Sequence, residues 1–294
     1  MKVRIGLSLG PYATPEGLAA AVGPLESAGV DSLWLSEVVY GELVEPLIGM
    51  TYALARTSRL KVGTGVAVLP GRHPVLVAKE LTSLAALAPG RVLPVFGLRP
   101  ARRPETAAFP VPGNRAAVFD ESLQLLRLLL AQDHVSFSGQ FFAVEGASVG
   151  PRVVKPLDIW LGGSAPAGLR RVGRLGDGWL GSFLTPAEAR TAREQIQQAA
   201  AAAGREIEAD HFGISLAVGQ LTPDFARVVE SRRPGVDPVT LAPVTWADAR
   251  AMIEAYVEAG LSKFVIRPAV PSAGASGIEE FIGDFAAEML PLEN

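Results

Sequence analysis

The feature that most constrains the fold is a regular alternation of short apolar runs with longer segments whose apolar residues recur at helical spacing. Eight such pairs follow one another, which predicts an α/β fold: a (βα)8 TIM barrel with a parallel sheet, spanning residues 1–294 as one domain. The predicted strands are residues 3–9, 32–35, 60–66, 91–95, 159–162, 178–181, 212–217 and 264–266. Predicted helices cover 14–29, 45–57, 74–88 and 115–131, and others begin near Pro166, Pro186, Thr245 and Ile278.

Two insertions interrupt this alternation. Residues 134–155, after the fourth helix, contain two short apolar runs around Ser138-Gly139, which predicts a hairpin. Residues 219–244, after the seventh strand, are rich in proline and arginine and follow no single helical period. In a barrel the second insertion would overhang the C-terminal face, where active sites lie.

Composition excludes several classes of function. The formal net charge is −3, with acidic and basic residues interspersed, so we expect no nucleic-acid partner. Cysteine is absent and the three histidines are far apart, so neither thiolate catalysis nor a protein metal site is expected. No apolar run is long enough to span a membrane, and no signal peptide precedes the first predicted strand, so we expect a cytoplasmic protein.

The stretch 156–179 holds the strongest candidate for a ligand site. A short apolar strand is followed by Gly162-Gly163-Ser164 and then by a helix that opens at Ala165-Pro166. Glycines after a strand let a ligand approach the backbone, and the free N–H groups of a helix start suit a phosphate. An ordinary strand-to-helix connection, with Ser164 as the helix cap, fits the same spacing equally well.

Several motifs, taken together, resemble one family. They are AGVDSLWLSE at 28–37, TSRLKVGTGV at 57–66, His73-Pro74 with AKE at 78–80, PGRV at 89–92, and IWLGG at 159–163 leading to GDGW at 176–179. In this order they are similar to the bacterial luciferase-like superfamily of flavin- or deazaflavin-dependent oxidoreductases, and they cover nearly the whole chain. The richness in alanine, arginine and glycine resembles members that use coenzyme F420, a 5-deazaflavin.

The resemblance implies roles for particular residues. The cofactor, coenzyme F420 or alternatively FMN, would have its phosphate near the 162–165 loop and Ser182, and its ring near a non-proline cis peptide at Gly65-Val66. Glu37 matches an acidic position that can hydrogen-bond the ring, and Arg267 can pair with an anion. The implied cofactor-binding residues are Glu37, Gly65, Val66, Gly162, Gly163, Ser164, Ala165 and Ser182.

The chain also departs from the family pattern. Val38 stands where catalytic members often carry histidine, and Pro100 where some carry a catalytic glutamate. The catalytic residues are therefore unassigned, with Glu37 and His73 as candidates. Three functions stay open: F420-dependent hydride transfer with a small organic substrate, an FMN-dependent monooxygenase of the same fold, and a catalytically degenerate barrel that only binds its cofactor.

Two predicted helices are apolar on more than one face. Residues 45–57 and 75–88 carry leucine, isoleucine, methionine and tyrosine beyond a single stripe. Such helices need a second partner besides their own barrel. We therefore predict a homodimer through these helices that buries on the order of 2,000 Å².

Overall fold

The computed structural model describes residues 2–269 and 274–294. Its main sheet has ten parallel segments, and a separate antiparallel hairpin has two strands. The main sheet comprises β1 (Arg4–Ser8), β2 (Ser32–Leu35), β3 (Lys61–Thr64), β4 (Ala67–Val68), β5 (Val92–Leu93), β6 (Val95–Gly97), β9 (Trp160–Gly162), β10 (Gly178–Ser182), β11 (Phe212–Val218) and β12 (Lys263–Pro268). The hairpin strands are β7 (Val135–Ser138) and β8 (Ala143–Ala147).

The sheet curls so that the first strand lies in its middle. The order is β4-β6-β9-β10-β11-β12-β1-β2-β3-β5, and β1 pairs with both β12 and β2. The predicted strand 60–66 forms β3 only as far as Thr64, and a cis peptide bond between Gly65 and Val66 separates β3 from β4, which lies beyond the predicted strand. The predicted strand 91–95 is split into β5 and β6 at Pro94, which has no N–H to give to a ladder.

Helices cover the outer face of this sheet, as a parallel sheet buried on both sides requires. Most of them begin at a polar side chain that accepts a backbone N–H, as Thr14 does from Gly17 at the start of the first helix (3.2 Å). The helices are α1 (Pro15–Ala28), α2 (Pro46–Arg56), α3 (Pro74–Leu87), α4 (Arg115–Ala131), α5 (Pro166–Leu175), α6 (Pro186–Ala202), α7 (Pro223–Arg232), α8 (Trp246–Glu258) and α9 (Gly274–Met289). Across 2–269 and 274–294, none of these helices combines the length and the hydropathy needed to cross a bilayer.

The insertion at 219–244 contains more regular structure than its sequence pattern predicted. It includes α7, which the irregular spacing of apolar residues did not predict, although Thr222 caps it by accepting from the N–H of Phe225 (3.2 Å). Val229 of α7 packs with Ala217 of β11 and Leu241 in a small apolar cluster of its own. Tertiary packing against the sheet therefore decides this helix.

The inner face of the sheet is filled by bulky side chains placed opposite glycines. Trp34 of β2 is 2% exposed and packs with Val95, Leu180 and Val265. A Cβ atom at Gly63 would lie 2.8 Å from its indole ring, and one at Gly6 2.5 Å from its Nε1. Glycine is therefore required beside the indole, and the interior is packed and not a channel.

Candidate functional site

The candidate residues lie at the edge of the sheet where the parallel strands end. Residues after β2, β3, β9 and β10 share this C-terminal edge because neighbouring strands run in the same direction. Hydrogen bonds join the segment after β2 to the segment after β3. Ser36 Oγ donates to the carbonyl oxygen of Gly65 (3.0 Å), and the N–H of Glu37 donates to the carbonyl oxygen of Val66 (3.3 Å).

The Gly65-Val66 peptide bond is cis, as the resemblance implies. The Val66 side chain projects between two other strand ends. A Cβ at Gly97, the end of β6, would lie 2.7 Å from one Val66 methyl, and a Cβ at Gly162, the end of β9, would lie 2.8 Å from the other. Gly162 therefore makes room for Val66 whether or not it contacts a ligand.

Glu37 is buried, at 5% exposure, and both of its carboxylate oxygens are engaged. Oε2 accepts from the N–H of Val68 (2.6 Å), and Arg72 donates to Oε1 (2.5 Å) and to Oε2 (3.1 Å). Arg72 also donates to the carbonyl oxygen of Val68 (2.7 Å) and lies over the ring of Phe109 (5.2 Å). The carboxylate thus holds the backbone just after the cis peptide, a contact between segments that the sequence pattern did not indicate.

The loop after β9 is exposed and open at its helix end. Gly163 has φ = +107°, and an added Cβ would meet nothing within 4 Å. Its carbonyl oxygen accepts from Nε1 of the buried Trp179 (2.8 Å). Ala165 occupies the N-cap position before α5 and makes no side-chain cap, so the structure does not support the alternative in which Ser164 caps this helix. The N–H groups of the first turn are left for another acceptor.

Ser182 and His73 occupy different surroundings. Ser182 is the last residue of β10, half-buried, and pairs with Ser215 of β11. His73 is exposed and begins α3, where its Nδ1 accepts from the N–H of Val75 (3.4 Å). Its ring meets the edge of Phe142 in the hairpin region, with ring centres 5.5 Å apart. His73 is therefore a helix cap packed on the insertion.

Arg267 lies near the end of β12 with an incomplete set of partners. Its guanidinium is 5.5 Å from the ring centre of Phe225 in α7. Within the described ranges it has no hydrogen bond and no ion pair with a carboxylate. Burial lowers the pKa of Arg267 from its ordinary value. A half-buried guanidinium without an anion is suited to bind one from outside the chain.

Glu105 is a candidate that the sequence reasoning missed. It lies in a short 3-10 turn after β6, is fully buried, and accepts from the N–H of Tyr40 through Oε1 (3.2 Å). Among the residues that the structure describes, nothing bonds to its Oε2. The resemblance directed attention to Pro100, five residues earlier, and no local pattern marks the burial of Glu105.

The second insertion reaches across this edge of the sheet. Arg232 at the end of α7 donates to the carbonyl oxygen of Ala101 (2.7 Å), in the loop after β6. Arg233 donates to the carbonyl oxygen of Phe183 after β10 (2.5 Å) and pairs with Glu188 at the start of α6 (2.5 Å). The Arg233 guanidinium holds the pKa of Glu188 at about 2. The insertion thus overlies the C-terminal edge.

One grouping of potential metal ligands lies elsewhere, before β11. Glu208, Asp210 and His211 bring one ligand atom each within 4.8 Å of one another. Both carboxylates are exposed, and His211 Nδ1 donates to the carbonyl oxygen of Asp177 (2.7 Å). Exposed acidic groups of this kind occur without metals, and we assign no metal to them.

Comparison with known proteins agrees with this geometry. The chain is 31% identical over 176 residues to an F420-dependent glucose-6-phosphate dehydrogenase of Kineococcus radiotolerans, a match spanning 56% of this chain and only 52% of the relative. It is 29% identical over 230 residues to a protein of the same name from Beutenbergia cavernae, covering 74% of this chain and 68% of that one.

Solved structures share the fold at lower identity. An F420-dependent secondary alcohol dehydrogenase, solved with an F420-acetone adduct, superposes with a TM-score of 0.80 at 19% identity over 100% of both chains. The family model described as luciferase-like monooxygenase matches residues 2–276. With the sheet, the cis peptide and the strand-end loops in place, this chain belongs to the luciferase-like monooxygenase family.

Proposed function

We propose that this protein is a coenzyme F420-dependent oxidoreductase that passes a hydride to or from a small organic substrate. The observation that carries the proposal is the open start of α5, where Gly163 leaves the approach free and Ala165 provides no cap. Exposed N–H groups and the positive end of the helix dipole attract a phosphate. The names of the two dehydrogenase relatives support a deazaflavin over FMN.

The residues at the strand ends fit such a cofactor. The backbone of Gly162, Gly163 and Ala165 would hold the phosphate, assisted by the hydroxyl groups of Ser164 and Ser182. The Gly65-Val66 segment would lie beside the ring, fixed in place by the ion pair of Glu37 with Arg72. A bound 5-deazaflavin supplies the hydride-carrying chemistry, and the chain supplies orientation, exclusion of water and proton handling.

Neither of the catalytic candidates from the sequence, Glu37 and His73, is well placed to hold a proton for the reaction. Glu37 is fully occupied by Arg72 and the N–H of Val68, and His73 serves as a helix cap. Glu105 has a buried oxygen with no partner in the described part of the chain, so it is the better candidate for holding a proton near the substrate. Arg267, half-buried and without a carboxylate partner among residues 2–269 and 274–294, would receive an anionic group of the substrate or of the cofactor tail.

Two alternatives remain. An FMN-dependent monooxygenase would use the same phosphate loop, and the description of the matching family supports it. A catalytically degenerate barrel that only binds its cofactor is favoured by Val38 and Pro100, which replace polar groups of catalytic members.

Equilibrium titration of the purified protein with coenzyme F420 and with FMN tests the proposal, with cofactor fluorescence as the readout. We expect F420 to bind at least about tenfold more tightly, or about 1.4 kcal/mol. Tighter binding of FMN would support the monooxygenase, and no binding of either would overturn both. If F420 binds but is not reduced by any of a panel of alcohols and sugar phosphates, the degenerate barrel is correct.

The architecture and assembly extend this proposal. Counting β3 with β4 and β5 with β6 as two interrupted strands gives the eight strands of a (βα)8 barrel, one domain over 1–294, with insertions at the hairpin and at α7. We also propose a homodimer through α2 and α3, because Ile48, Leu76 and Leu87 are 66%, 63% and 80% exposed. Light scattering that gives a monomer mass at micromolar concentration would exclude the dimer.

A further inference from the structure

A large cavity lies at the opposite edge of the sheet, where the strands begin. Its volume is about 590 Å³. Lys61, Trp160 and Lys263, the first residues of β3, β9 and β12, line it together with Trp34. Residues 152–158 and the end of α3 around Ala86 form its outer wall. The cavity is therefore built from other residues than the strand-end loops proposed to hold the cofactor.

Of the two indole rings in the cavity wall, Trp160 is partly exposed and offers an apolar, planar surface, whereas Trp34 is only 2% exposed. Trp34 is held by a hydrogen bond from its Nε1 to Ser32 Oγ (2.9 Å). Trp160 packs against His211 with ring centres 5.3 Å apart. Both rings are fixed by neighbours, so a flat aromatic ligand could pack on the exposed part of Trp160 without ordering a flexible side chain.

Positive charge is concentrated beside these rings. Lys61 Nζ lies 2.8 Å from Asp31 Oδ1, Lys263 Nζ bonds to Asp31 Oδ2, and Arg4 Nε is 3.9 Å from Oδ1. Arg4 also donates to the carbonyl oxygens of Val3 and Asn294 (2.7 and 2.6 Å). Six cationic and two acidic side chains line the cavity of a chain whose formal net charge is −3.

Asp31 is shared by two ammonium groups, and Glu293 is a second carboxylate whose charge acts on Lys263. Lys263 is only 8% exposed and lies 5.7 Å from the ring centre of Trp34. Burial lowers the pKa of Lys263, while Asp31 opposes that change. An additional anion beside Lys61 and Lys263 would be stabilised by both, because a poorly solvated positive site attracts negative charge strongly.

We propose that this cavity is a second ligand site, for a planar aromatic or heteroaromatic acid. The ring would pack on Trp160, and the carboxylate would meet the ammonium groups of Lys61 and Lys263. The volume lies within the range of roughly 300–1,000 Å³ typical of small-molecule sites. The site is independent of the proposed cofactor, so its test does not depend on which cofactor the protein uses.

Calorimetric titration with naphthalene-2-carboxylate, compared with the uncharged naphthalene-2-methanol, tests the proposal. We expect the carboxylate to bind at least about tenfold more tightly than the alcohol. Lys61→Gln removes one partially exposed ammonium group and should remove most of that preference. Ala86→Phe should fill the cavity from its exposed wall and weaken both compounds at least about tenfold. Ala201→Phe, the same change at an exposed position of α6, should leave both affinities unchanged.

The proposal is overturned if the wild-type protein binds neither compound, if it binds both equally, or if Ala86→Phe leaves both affinities intact. Melting temperatures of all variants report whether each one folds. If Ala86→Phe does not fold, Lys61→Gln decides between the outcomes: loss of the preference for the carboxylate supports the proposal, and an unchanged preference overturns it. Affinity for coenzyme F420 or FMN should be the same in folded Ala86→Phe as in the wild type, since the two sites share no residue.

Discussion

Helices α5 and α6 follow two strands that pair with each other, and they open with nearly the same sequence, Ala165-Pro166-Ala167 and Thr185-Pro186-Ala187. The hydrogen bonds that cap their first turns nevertheless differ. In α6, Thr185 accepts from the N–H of Glu188 (3.4 Å), and Glu188 accepts from that of Thr185 (2.8 Å). In α5 the corresponding alanine provides no acceptor.

This difference indicates that the start of α6 has a structural role, whereas the start of α5 is free to bind a ligand. The reciprocal cap of α6 satisfies its own N–H groups, and Glu188 also pairs with Arg233 (2.5 Å), which attaches α7 to this end of the molecule. The first turn of α5 faces solvent, and no acceptor within the described ranges bonds to its N–H groups. A phosphate would find donors at α5 and a carboxylate at α6, so the same changes should act on binding in one helix and on stability in the other.

The largest effect is expected from Gly163→Val. A β-branched residue is strained at φ = +107°, and its side chain would occupy the approach to α5. We expect cofactor affinity to fall by more than about a hundredfold, that is about 2.7 kcal/mol, in an equilibrium titration.

Gly204→Val is the matched control for Gly163→Val. Gly204 follows α6, also has a positive φ (+68°), and has open space where a Cβ would lie. It should lower the melting temperature without changing cofactor affinity. Equal affinity losses in both variants, or none in Gly163→Val, would contradict the assignment of the phosphate to this loop.

Ala165→Asp should come next. The new carboxylate would cap α5 and stabilise the protein by about 1 kcal/mol, while repelling a phosphate from the same N–H groups. We expect at least about tenfold weaker cofactor binding together with a higher melting temperature. Ala165→Ser caps without a charge, so it should weaken binding less. Unchanged affinity in Ala165→Asp would show that the cofactor does not use this helix start.

Thr185→Ala tests the other half of the comparison. Losing the cap of α6 should cost about 1 kcal/mol of unfolding free energy, measured by urea denaturation. Cofactor affinity should be unaffected, because α6 already satisfies its own donors. If Thr185→Ala lowered cofactor affinity without lowering stability, the result would contradict these roles and would place the binding helix start at α6.

The pH dependence of stability should depend on Glu188. Its pKa is about 2, held there by hydrogen bonds from Arg233, against an ordinary value of 4.5. A lowered pKa stabilises the fold above pH 4.5, and this contribution is lost as the pH falls from there towards 2. Glu188→Gln should therefore have a flatter unfolding profile between these values. The effect should be small because this side chain is 40% exposed, and a profile as steep as that of the wild type would contradict it.

Ser164→Ala should have the smallest effect. Its hydroxyl caps no helix, so the melting temperature should not change. One lost hydrogen bond to a phosphate would weaken cofactor binding by about 1 kcal/mol, or about fivefold. A lower melting temperature with unchanged affinity would restore the interpretation of Ser164 as a cap.

Local sequence patterns predicted much of the chain. Thr14 and Thr185, each followed by proline, mark two helix starts that the structure contains. Short apolar runs marked the parallel strands, and the motif around Gly65-Val66 indicated the cis peptide through resemblance. These features depend on residues close in sequence, where backbone propensity and capping decide the outcome.

The candidate site depended more on tertiary structure. Glu37 is paired by Arg72, 35 positions away, and the burial of Glu105 depends on the packing of the loop after β6. Both Ser164 and Ala165 precede a proline-led turn, and only the folded backbone shows which of them begins α5.

The sequence by itself determined the order of strands and helices, the family, and the glycine-rich loop after β9. The tertiary structure alone decided that α7 overlies the C-terminal edge, that Arg267 has Phe225 as its neighbour, and that Lys61 and Lys263 meet at Asp31 beside a cavity. The physical reason is range: caps and strand patterns act over a few residues, whereas burial and charge pairing join side chains up to 232 positions apart.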